Sequence, residues 1–362
     1  MMTASTTNLV DVARLAGVSP TTVSRFVNDP QKVKPETRRR IEGAINDLGY
    51  VPNGAARALA SNRSRIIGAI VPTLNHALFA TELNDLERRL AVEGYGLIVA
   101  SNDYQLEREY ELTQTMLSRH VDGLVFVGVD RDPSIYRLLE KKGVPYVTTC
   151  AINKNPRHPE IGVDNFAAAQ DVADYLLDLG HEDFGVISHP SAHNDRARAR
   201  LAGFRAAIEA RGHALLTDRV IERPVDFVEG QIAFRHLMSL SPRPTAVLCS
   251  MDIFAIGAVL ESRRIGVRIP DDVSVTGFDN AALASLVEPT LTTIDLPVRE
   301  TGRRAAEYLL QTLKGKAAPW QSVLDYDLVV RKSAAGPPRQ GKSLGGRRAE
   351  DAPAFDPASG LD

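Results

Sequence analysis

Three short helices joined by tight turns, between residues 8 and 50, constrain the fold of this chain more than any other segment. Ser19 is a favourable N-cap, and Pro20 suits the first position of the helix that follows it. The preceding helix, over 10–16, ends at Gly17, which readily adopts the left-handed conformation of a helix exit. Two short helices joined by a turn that contains glycine form a helix-turn-helix, whose second helix enters the major groove of DNA.

The second helix separates an apolar face from a polar one. Val23, Phe26 and Val27 repeat at i, i+3 and i+4 and are predicted to face a core. Base edges are read from the start of such a helix, while polar side chains around it hold phosphates. Arg25 is the only long donor on the polar face and can pair with O6 and N7 of guanine. The candidate DNA contacts of this helix are Ser19, Pro20, Thr21, Thr22, Ser24 and Arg25.

Charge is unevenly distributed along the chain. The first 65 residues contain ten Lys/Arg and five Asp/Glu and so carry +5, which leaves −7 for the rest of a chain whose net charge is −2. A basic head on an acidic body is the electrostatic footprint of a nucleic-acid-binding protein. The third helix, predicted over 35–48, contributes Arg38, Arg39 and Arg40, which lie either on a solvated face or against phosphates.

From residue 65 onward, short apolar runs alternate with amphipathic helical segments. This alternation predicts parallel sheets with helices on both faces. About seven such units divide into two doubly wound halves, and the second half begins near residue 165. The predicted fold class is therefore α/β, with a three-helix head in front of a two-halved body. The predicted strands are 66–71, 96–100, 121–127, 144–149, 184–188, 245–249 and 273–277.

Several strings in the sequence are shared with a known family. VDVARLAGVSPTTVSRFVN, followed by LGYVPNGAARALA, resembles the DNA-binding module of the lactose-repressor (LacI/GalR) family of bacterial regulators. VDGLVFVG at 121–128, RLAGFRAAI at 200–208 and the segment 244–280 resemble the periplasmic-binding-protein-like body of that family. The resemblance covers residues 8 to about 333, which is nearly the whole chain.

The resemblance implies a domain organisation. The helix-turn-helix domain would occupy 8–51, the hinge helix and linker 52–64, and the effector-binding and dimerisation body 65–333. Within the body, the N-subdomain would take about 65–164 plus 297–320, and the C-subdomain about 165–294 plus 325–333. The remaining 334–362, rich in Gly, Pro, Ala and charge, is predicted to be disordered.

The resemblance also implies roles in DNA binding. Pro20, Thr21 and Arg25 would occupy base-reading positions, and Leu59 would be the hinge leucine that wedges between base pairs in the minor groove. The alternative for Leu59 is an ordinary buried linker residue. An isolated Ala-rich helix of this length is marginal in water, so the hinge would fold only on DNA, as a pair from a dimer. The remaining positions implied near the DNA backbone or minor groove are Asn28, Tyr50, Asn53, Ala56 and Arg57.

A second set of candidates follows the predicted strands. In a two-halved body the ligand lies in the cleft at the carboxyl ends of the strands, where aromatic and polar groups converge. By residue matching, Arg200 and Asp279 would bind ligand hydroxyls or carboxylates, and Phe79 and Phe227 would form aromatic walls. Arg196 and Arg198 lie in the same loop and would add positive charge. The candidate effector contacts are Asn75, Phe79, Asp103, Cys150, Arg198, Arg200, Phe227, Asp252 and Asp279.

Cys150 departs from the family pattern, since many members have an aspartate at that strand end. Its absence removes one acceptor for sugar hydroxyls. With Arg200 nearby, and Arg198 as a possible second cation, an acidic sugar or another small anion becomes an alternative to a neutral sugar.

Composition excludes several other classes. The two cysteines, Cys150 and Cys249, form no CxxC motif, and the histidines are scattered, so we expect reduced thiols and no metal or cofactor. The N-terminus lacks the pattern of a signal peptide, and no run approaches the ~18 apolar residues of a membrane span. We therefore expect a cytoplasmic protein without a membrane partner.

The sequence thus predicts a transcriptional regulator, most simply a repressor, that binds a pseudo-palindromic operator as a homodimer under control of a sugar or sugar acid. One rival is an exported sugar-binding protein for uptake, which needs a signal peptide and no helix-turn-helix. Another is a Rossmann-like enzyme, but no G-x-G-x-x-G follows the first strand and no nucleophile–base motif stands out, so we expect no catalysis.

Truncating Arg25 and truncating Asn28 are predicted to change DNA binding in different ways. Arg25→Ala should relax sequence preference, because it removes the base-reading donor, whereas Asn28→Ala should weaken binding evenly across sequences. Gel shifts on operator and random DNA measure both effects. Equal losses on the two DNAs for Arg25→Ala would contradict the assignment.

Overall fold

The computed structural model describes residues 7–51 and 63–338. Its head contains the three predicted helices, and polar caps fix where they begin. Asn8 caps the first helix in a reciprocal box with Asp11, and Ser19 Oγ accepts the Thr22 N–H at 3.2 Å. Buried side chains on all three helices, including Val23 and Phe26, form one small core. The helices are α1 (Leu9–Ala16), α2 (Pro20–Asn28) and α3 (Pro35–Leu48), with a 3-10 turn at Pro30–Lys32.

Arg40 supports the turn between α1 and α2. Its Nη2 donates to the carbonyl oxygens of Ala16 at 2.6 Å and of Gly17 at 3.1 Å. Arg38 donates instead to Gln31 Oε1 at 3.0 Å. Of the three consecutive arginines, Arg40 therefore stabilises the helix-turn-helix by hydrogen bonds to the backbone of its turn.

The first half of the body is a six-stranded parallel sheet in the order β11–β5–β4–β3–β1–β2. Its strands are β1 (Ile66–Val71), β2 (Gly96–Ser101), β3 (Gly123–Val127), β4 (Tyr146–Thr149), β5 (Glu160–Gly162) and β11 (Gln321–Val323). Its helices are α4 (Ala77–Val92), α5 (Leu106–Ser118), α6 (Pro133–Lys142) and α11 (Val298–Leu313).

The second half is a four-stranded parallel sheet in the order β7–β6–β8–β9. Its strands are β6 (Phe184–Ser188), β7 (Val220–Glu222), β8 (Ala246–Cys249) and β9 (Ser274–Thr276). Its helices are α7 (Asn165–Asp178), α8 (Asp195–Ala210), α9 (Phe227–Ser239) and α10 (Asp252–Ile265).

The chain passes between the halves near its end. Strands β10 (Thr293–Asp295) and β12 (Asp327–Val329) form an antiparallel pair. β10 also continues the second sheet, because the Asp279 N–H donates to the Ile294 carbonyl at 2.9 Å. The alternating α/β pattern is confirmed. The three-residue strands β5, β7 and β11 were not predicted, and β11 extends the first half beyond the predicted limit at 320.

Residues 334–338 correct the predicted start of the disordered tail. The Ala335 carbonyl lies 2.7 Å from His181 Nε2 and accepts from Ser274 Oγ at 2.8 Å, and its N–H donates to the same hydroxyl at 3.0 Å. These contacts hold the segment against the second half. The prediction of disorder is therefore wrong for the residues nearest 334. The rest of the predicted tail, 339–362, lies outside the described residues.

Gly302 allows α11 to pack closely on α4. A Cβ at this position would lie 2.2 Å from the Glu82 carbonyl oxygen and 3.0 Å from the Leu86 nitrogen. Both obstacles are backbone atoms, which cannot rotate away. The glycine therefore sets the distance between α4 and α11 in the first half.

Gly302→Ala should lower the free energy of unfolding by about 1–3 kcal/mol, because it forces two packed helices apart. Gln311→Ala, at an exposed position of the same helix, should change it by no more than about 0.5 kcal/mol. Urea denaturation followed by circular dichroism measures both. Equal stability of the two variants would show that α4 and α11 separate without cost.

Candidate functional site

A cavity of about 410 Å³ lies between the two halves at the carboxyl ends of their strands. This volume includes space that is open to solvent. The first half contributes residues that follow β1, β2 and β4, and the second half contributes residues that follow β6, β8 and β9. The lining residues are His76, Leu78, Phe79, Tyr104, Cys150, His189, Asn194, Arg196, Ala197, Arg200, Ser250, Met251, Asp279 and Leu296.

Arg200 is the buried cation of this site. Its Nε donates to Asn165 Oδ1 at 2.9 Å, and its Nη1 donates to the Ser250 carbonyl at 2.7 Å and to Asp279 Oδ1 at 3.3 Å. The guanidinium also lies over the Phe278 ring, 3.8 Å from its centroid. Burial lowers the pKa of Arg200, and the Asp279 carboxylate opposes that shift.

Asp279 faces the cavity from a backbone conformation that side chains rarely adopt, with φ 111°. Its Oδ2 lies 3.6 Å from His76 Nε2 and has no hydrogen-bond partner among the described residues. Burial raises the pKa of the carboxyl, against the lowering effect of Arg200. His76 Nδ1 and Ser250 Oγ are likewise buried without a partner in the described part of the chain. Three polar atoms around the cavity are therefore available to a ligand.

Helix geometry puts Arg196 rather than Arg198 in the cavity wall. Arg196 and Arg200 are four residues apart on α8 and share a face, whereas Arg198 points outward. Arg198 pairs with Asp130 and is half exposed. Arg196 is buried, and its Nη1 donates to Asp195 Oδ1 at 2.6 Å. The second positive charge expected at the cavity is therefore already paired with a neighbouring carboxylate.

A buried acid, Glu82, contacts Cys150 but does not line the cavity. The Cys150 thiol donates to Oε2 of Glu82 at 3.1 Å. Glu82 lies on α4 and is 2% exposed. Burial raises the pKa of Glu82, and burial beside that acid raises the pKa of the Cys150 thiol well above its ordinary value. The sequence did not identify Glu82, because it lies mid-helix and reaches the strand end only through packing.

Tyr104 and His189 line the cavity and were not among the candidates. Their rings face each other across the two halves, with centroids 4.3 Å apart. Both residues follow strand ends, which was the available signal. The strand-end rule selected Asp103 instead of its neighbour, because sequence does not reveal which side chain of a loop turns inward.

Four other candidates lie outside the cavity. Asn75 is exposed, and Asp103 is exposed and pairs with Arg108. Phe227 begins α9 with 37% of its surface exposed, so it does not form the expected wall. Asp252 is buried behind the cavity, where it accepts from Thr293 Oγ1 at 2.6 Å and from the Ala281 N–H at 2.6 Å. These two bonds turn its carboxyl toward the loop after β9.

The proposed DNA-reading residues occupy one surface of the head. Pro20, Thr21 and Arg25 are exposed, and Ser19 Oγ lies 2.9 Å from Thr22 Oγ1. Thr22 and Ser24 are half-buried, and Asn28 is the last residue of α2. Tyr50 is only 9% exposed and packs in the head core, which the resemblance did not imply. The hinge candidates Asn53, Ala56, Arg57 and Leu59 lie outside the described residues.

The described residues hold neither a metal cluster nor a membrane-spanning helix. Across 7–51 and 63–338, no group of three or more His, Cys, Asp or Glu side chains could hold a metal ion. In these same ranges, no helix has both the length and the apolar character needed to cross a bilayer.

A helix-turn-helix head followed by a two-halved body with a polar cleft defines the class of ligand-responsive DNA-binding proteins. Residues 8–53 match the bacterial regulatory proteins of the lacI family, and residues 173–334 match the periplasmic binding protein-like domain. The HTH-type transcriptional repressor CytR of Escherichia coli (strain K12) is 32% identical over 330 residues, covering 91% of this chain and 96% of the repressor. The chain belongs to the lacI family of bacterial regulatory proteins.

Solved structures agree with this assignment. A LacI-family transcriptional regulator from Silicibacter pomeroyi has a TM-score of 0.84 and 27% identity, covering 91% of this chain and 99% of that one. The lac repressor dimer bound to operator and the anti-inducer ONPF has a TM-score of 0.81, with 27% identity and the same coverage. The chain is thus a DNA-binding transcriptional regulator with a small-molecule effector, and the relatives described here are regulators rather than enzymes.

Asp252 should make stability depend on pH. Burial raises its pKa from the ordinary 3.8 to about 7, so the folded state holds the proton more tightly than the unfolded chain. Its contribution to the free energy of unfolding should therefore fall as the pH rises from about 4 to about 7.

Urea denaturation of the wild type and Asp252→Asn tests this. The wild type should lose stability relative to the variant between about pH 4 and about pH 7. Asp178→Asn, at an exposed position of α7, controls for the loss of a surface carboxylate. A constant difference between the wild type and Asp252→Asn across this range would contradict the raised pKa.

Proposed function

We propose that this regulator is controlled by a small neutral sugar bound in the cleft between the two halves. The observation that carries the proposal is the set of unpartnered polar atoms around the cavity, Asp279 Oδ2, His76 Nδ1 and Ser250 Oγ. Sugar hydroxyls both donate and accept, so one ligand can satisfy all three. A buried polar atom without a partner costs about 1–3 kcal/mol, which binding would recover.

The charges around the cavity favour a neutral ligand over a sugar acid. Arg200 faces Asp279 and Arg196 faces Asp195, so each buried guanidinium already has a carboxylate. Burial lowers the pKa of His76, which favours its neutral form. An anion would therefore meet no unpaired cation in the described wall, and it would face the free oxygen of Asp279.

The apolar side of the cavity suits a sugar ring. Phe79 is buried beside His76, with ring centroids 5.5 Å apart, and Tyr104 of the same half also lines the cavity. Small-molecule sites combine such apolar walls with a few placed polar groups. The two aromatic side chains would pack against the ring while Asp279 fixes its hydroxyls.

We further propose that the protein acts in the cytoplasm as a homodimer on a pseudo-palindromic operator. The polar face of α2 offers one long donor, Arg25, beside small residues, so one head supplies little discrimination. Two heads related by a two-fold axis read two half-sites. The lac repressor structure described above is a dimer on its operator, which supports the same arrangement here. The hinge over 52–64, with Leu59 as the wedge, would join heads and bodies.

Several contacts cross the cleft and would transmit effector binding. The Val129 N–H of the first half donates to Asp195 Oδ2 of the second at 2.7 Å. The His76–Asp279 and Tyr104–His189 contacts also span the halves. A ligand that binds more tightly to one arrangement of the halves shifts the population toward it. That shift would reposition the first halves of a dimer and the hinges attached to them.

The effector class is tested with paired compounds. A neutral pentose or hexose should raise the melting temperature of the wild type and change its affinity for the promoter DNA that adjoins its own gene. The corresponding aldonic or uronic acid should do neither. Asp279→Asn should weaken sugar binding by about ten- to a hundredfold, because a charged acceptor is lost. Thermal shift and fluorescence anisotropy are the measurements.

Asp103→Asn is the matched control, since it changes an exposed aspartate outside the cavity and should keep the wild-type response. A sugar acid that shifts the wild type when neutral sugars do not would contradict the neutral effector. An Asp279→Asn variant that responds normally would contradict the proposed site.

A further inference from the structure

An apolar patch of the first half forms part of the effector cavity. Phe79 makes a small hydrophobic cluster with Val71 and Val127, and Leu78 and Cys150 pack against that cluster. Of these five residues, Leu78, Phe79 and Cys150 also line the cavity. These three side chains are the apolar patch.

The polar atoms of the same cavity come mainly from the second half. Ser250 Oγ follows β8 and Asp279 Oδ2 follows β9, and both atoms are buried without a partner among the described residues. The first half adds His76 Nδ1. A ligand in the cleft therefore meets hydrogen-bonding atoms chiefly on one side and the apolar patch on the other.

The thiol hydrogen of Cys150 is already engaged. Cys150 Sγ donates to Glu82 Oε2 at 3.1 Å, and Glu82 does not line the cavity. Burial beside that acid raises the pKa of the thiol well above its ordinary value, so the sulfur stays neutral. Thiol sulfur is only a weak hydrogen-bond acceptor. A ligand hydroxyl against Cys150 would therefore find neither a free donor nor a strong acceptor.

Backbone contacts fix Cys150 relative to the polar side of the cavity. Its N–H donates to the Ile161 carbonyl at 3.0 Å, and its carbonyl accepts from Asn165 Nδ2 at 2.9 Å. Asn165 Oδ1 in turn accepts from Arg200 Nε at 2.9 Å. Gly162 lies so close that a Cβ there would be 2.9 Å from the carbonyl carbon of Cys150. One asparagine thus joins the backbone under the apolar patch to the buried cation.

A hydroxyl and a hydrocarbon group differ in what they lose against this patch. A hydroxyl would give up its hydrogen bonds to water without replacement, whereas a C–H or methyl group has none to lose and is favourably buried. Apolar walls of this kind disfavour a ligand that carries one additional hydroxyl by about ten- to a hundredfold.

We propose that Cys150 makes the cleft selective for a deoxy sugar, whose hydroxyl-free carbon lies against the apolar patch while its hydroxyls bind Asp279 and Ser250. This inference rests on the neutral sugar proposed above and specifies its chemistry. Asp279 and Ser250 supply affinity for any sugar in the cleft, and Cys150 distinguishes a deoxy sugar from its hydroxylated parent.

Cys150→Ser is the informative variant, because it exchanges the sulfur for an oxygen. The serine hydroxyl can still donate to Glu82, and its oxygen is a strong acceptor for a ligand hydroxyl. Cys150→Ala is the matched comparison, since it removes the thiol but leaves the patch apolar. Both side chains meet the same left-handed backbone, with φ 65°, so the two variants carry similar strain.

The probes are parent sugars paired with their deoxy forms. Isothermal titration measures each affinity, while circular dichroism and promoter binding confirm that each variant is folded. The pairs are D-galactose with D-fucose, D-glucose with D-quinovose, L-mannose with L-rhamnose, and D-ribose with deoxyribose.

The wild type and Cys150→Ala should bind at least one deoxy sugar about tenfold or more tightly than its parent. Cys150→Ser should lose most of this preference, because it binds the parent more tightly. A wild type that favours no deoxy sugar would overturn the proposal, and so would a folded Cys150→Ser with the same preference as Cys150→Ala. A folded Cys150→Ala that loses the preference would contradict the role of the apolar patch.

These outcomes separate the two proposals. Equal binding of parent and deoxy sugars by the wild type would reject only the selection by Cys150. If no sugar of either kind bound to any of the three proteins, the sugar effector itself would be wrong, and the selection with it.

Discussion

The buried guanidinium of Arg200 is the interaction on which the cleft depends. A cation removed from water is tolerated only when surrounding groups replace its hydration. Here the replacement comes from three elements, with Asn165 at the start of α7, the Ser250 carbonyl after β8 and Asp279 after β9, and with the Phe278 ring beneath. Because all of them must stay within reach of one side chain, the carboxyl end of the second sheet is held in a single arrangement.

Asp279 connects this arrangement to the first half of the body. One carboxylate oxygen faces Arg200, and the other is directed toward His76 across the cleft without a hydrogen bond. The site therefore combines an ion-paired cation with an incompletely satisfied acceptor. A ligand hydroxyl that completes the shell of Asp279 does so at the junction of the two halves, where small changes in their separation alter its geometry most. Under the proposed function, recognition and conformational control would therefore share one residue.

Elements with a long hydrophobic period follow from the sequence, whereas short strands and inward-facing loop side chains do not. Long apolar runs and helices with a clear period were predicted to within a few residues, as for α3 at 35–48 and β1 at 66–71. The strands β5, β7 and β11 contain three residues each, too few for a period to appear. In the cleft, Arg200, Asp279, Phe79 and Cys150 lie in the wall, whereas Arg198 lies outside because α8 turns it away. Tyr104 was not predicted, since a left-handed loop brings it to the site, and Glu82 was not, since only helix packing brings it to Cys150.

The sequence by itself determined the helix-turn-helix, the alternating α/β body and the family, because caps, turns and hydrophobic periods are local and need no knowledge of distant contacts. It also indicated which strand ends face the ligand, since parallel strands share one carboxyl edge. The tertiary structure alone decided which side chains turn inward and which charges neutralise one another. Pairing Arg200 with Asp279, placing Glu82 under Cys150 and bringing Tyr104 against His189 all depend on packing between segments far apart in the chain. The local periodicity of the sequence contains no information about contacts between such distant segments.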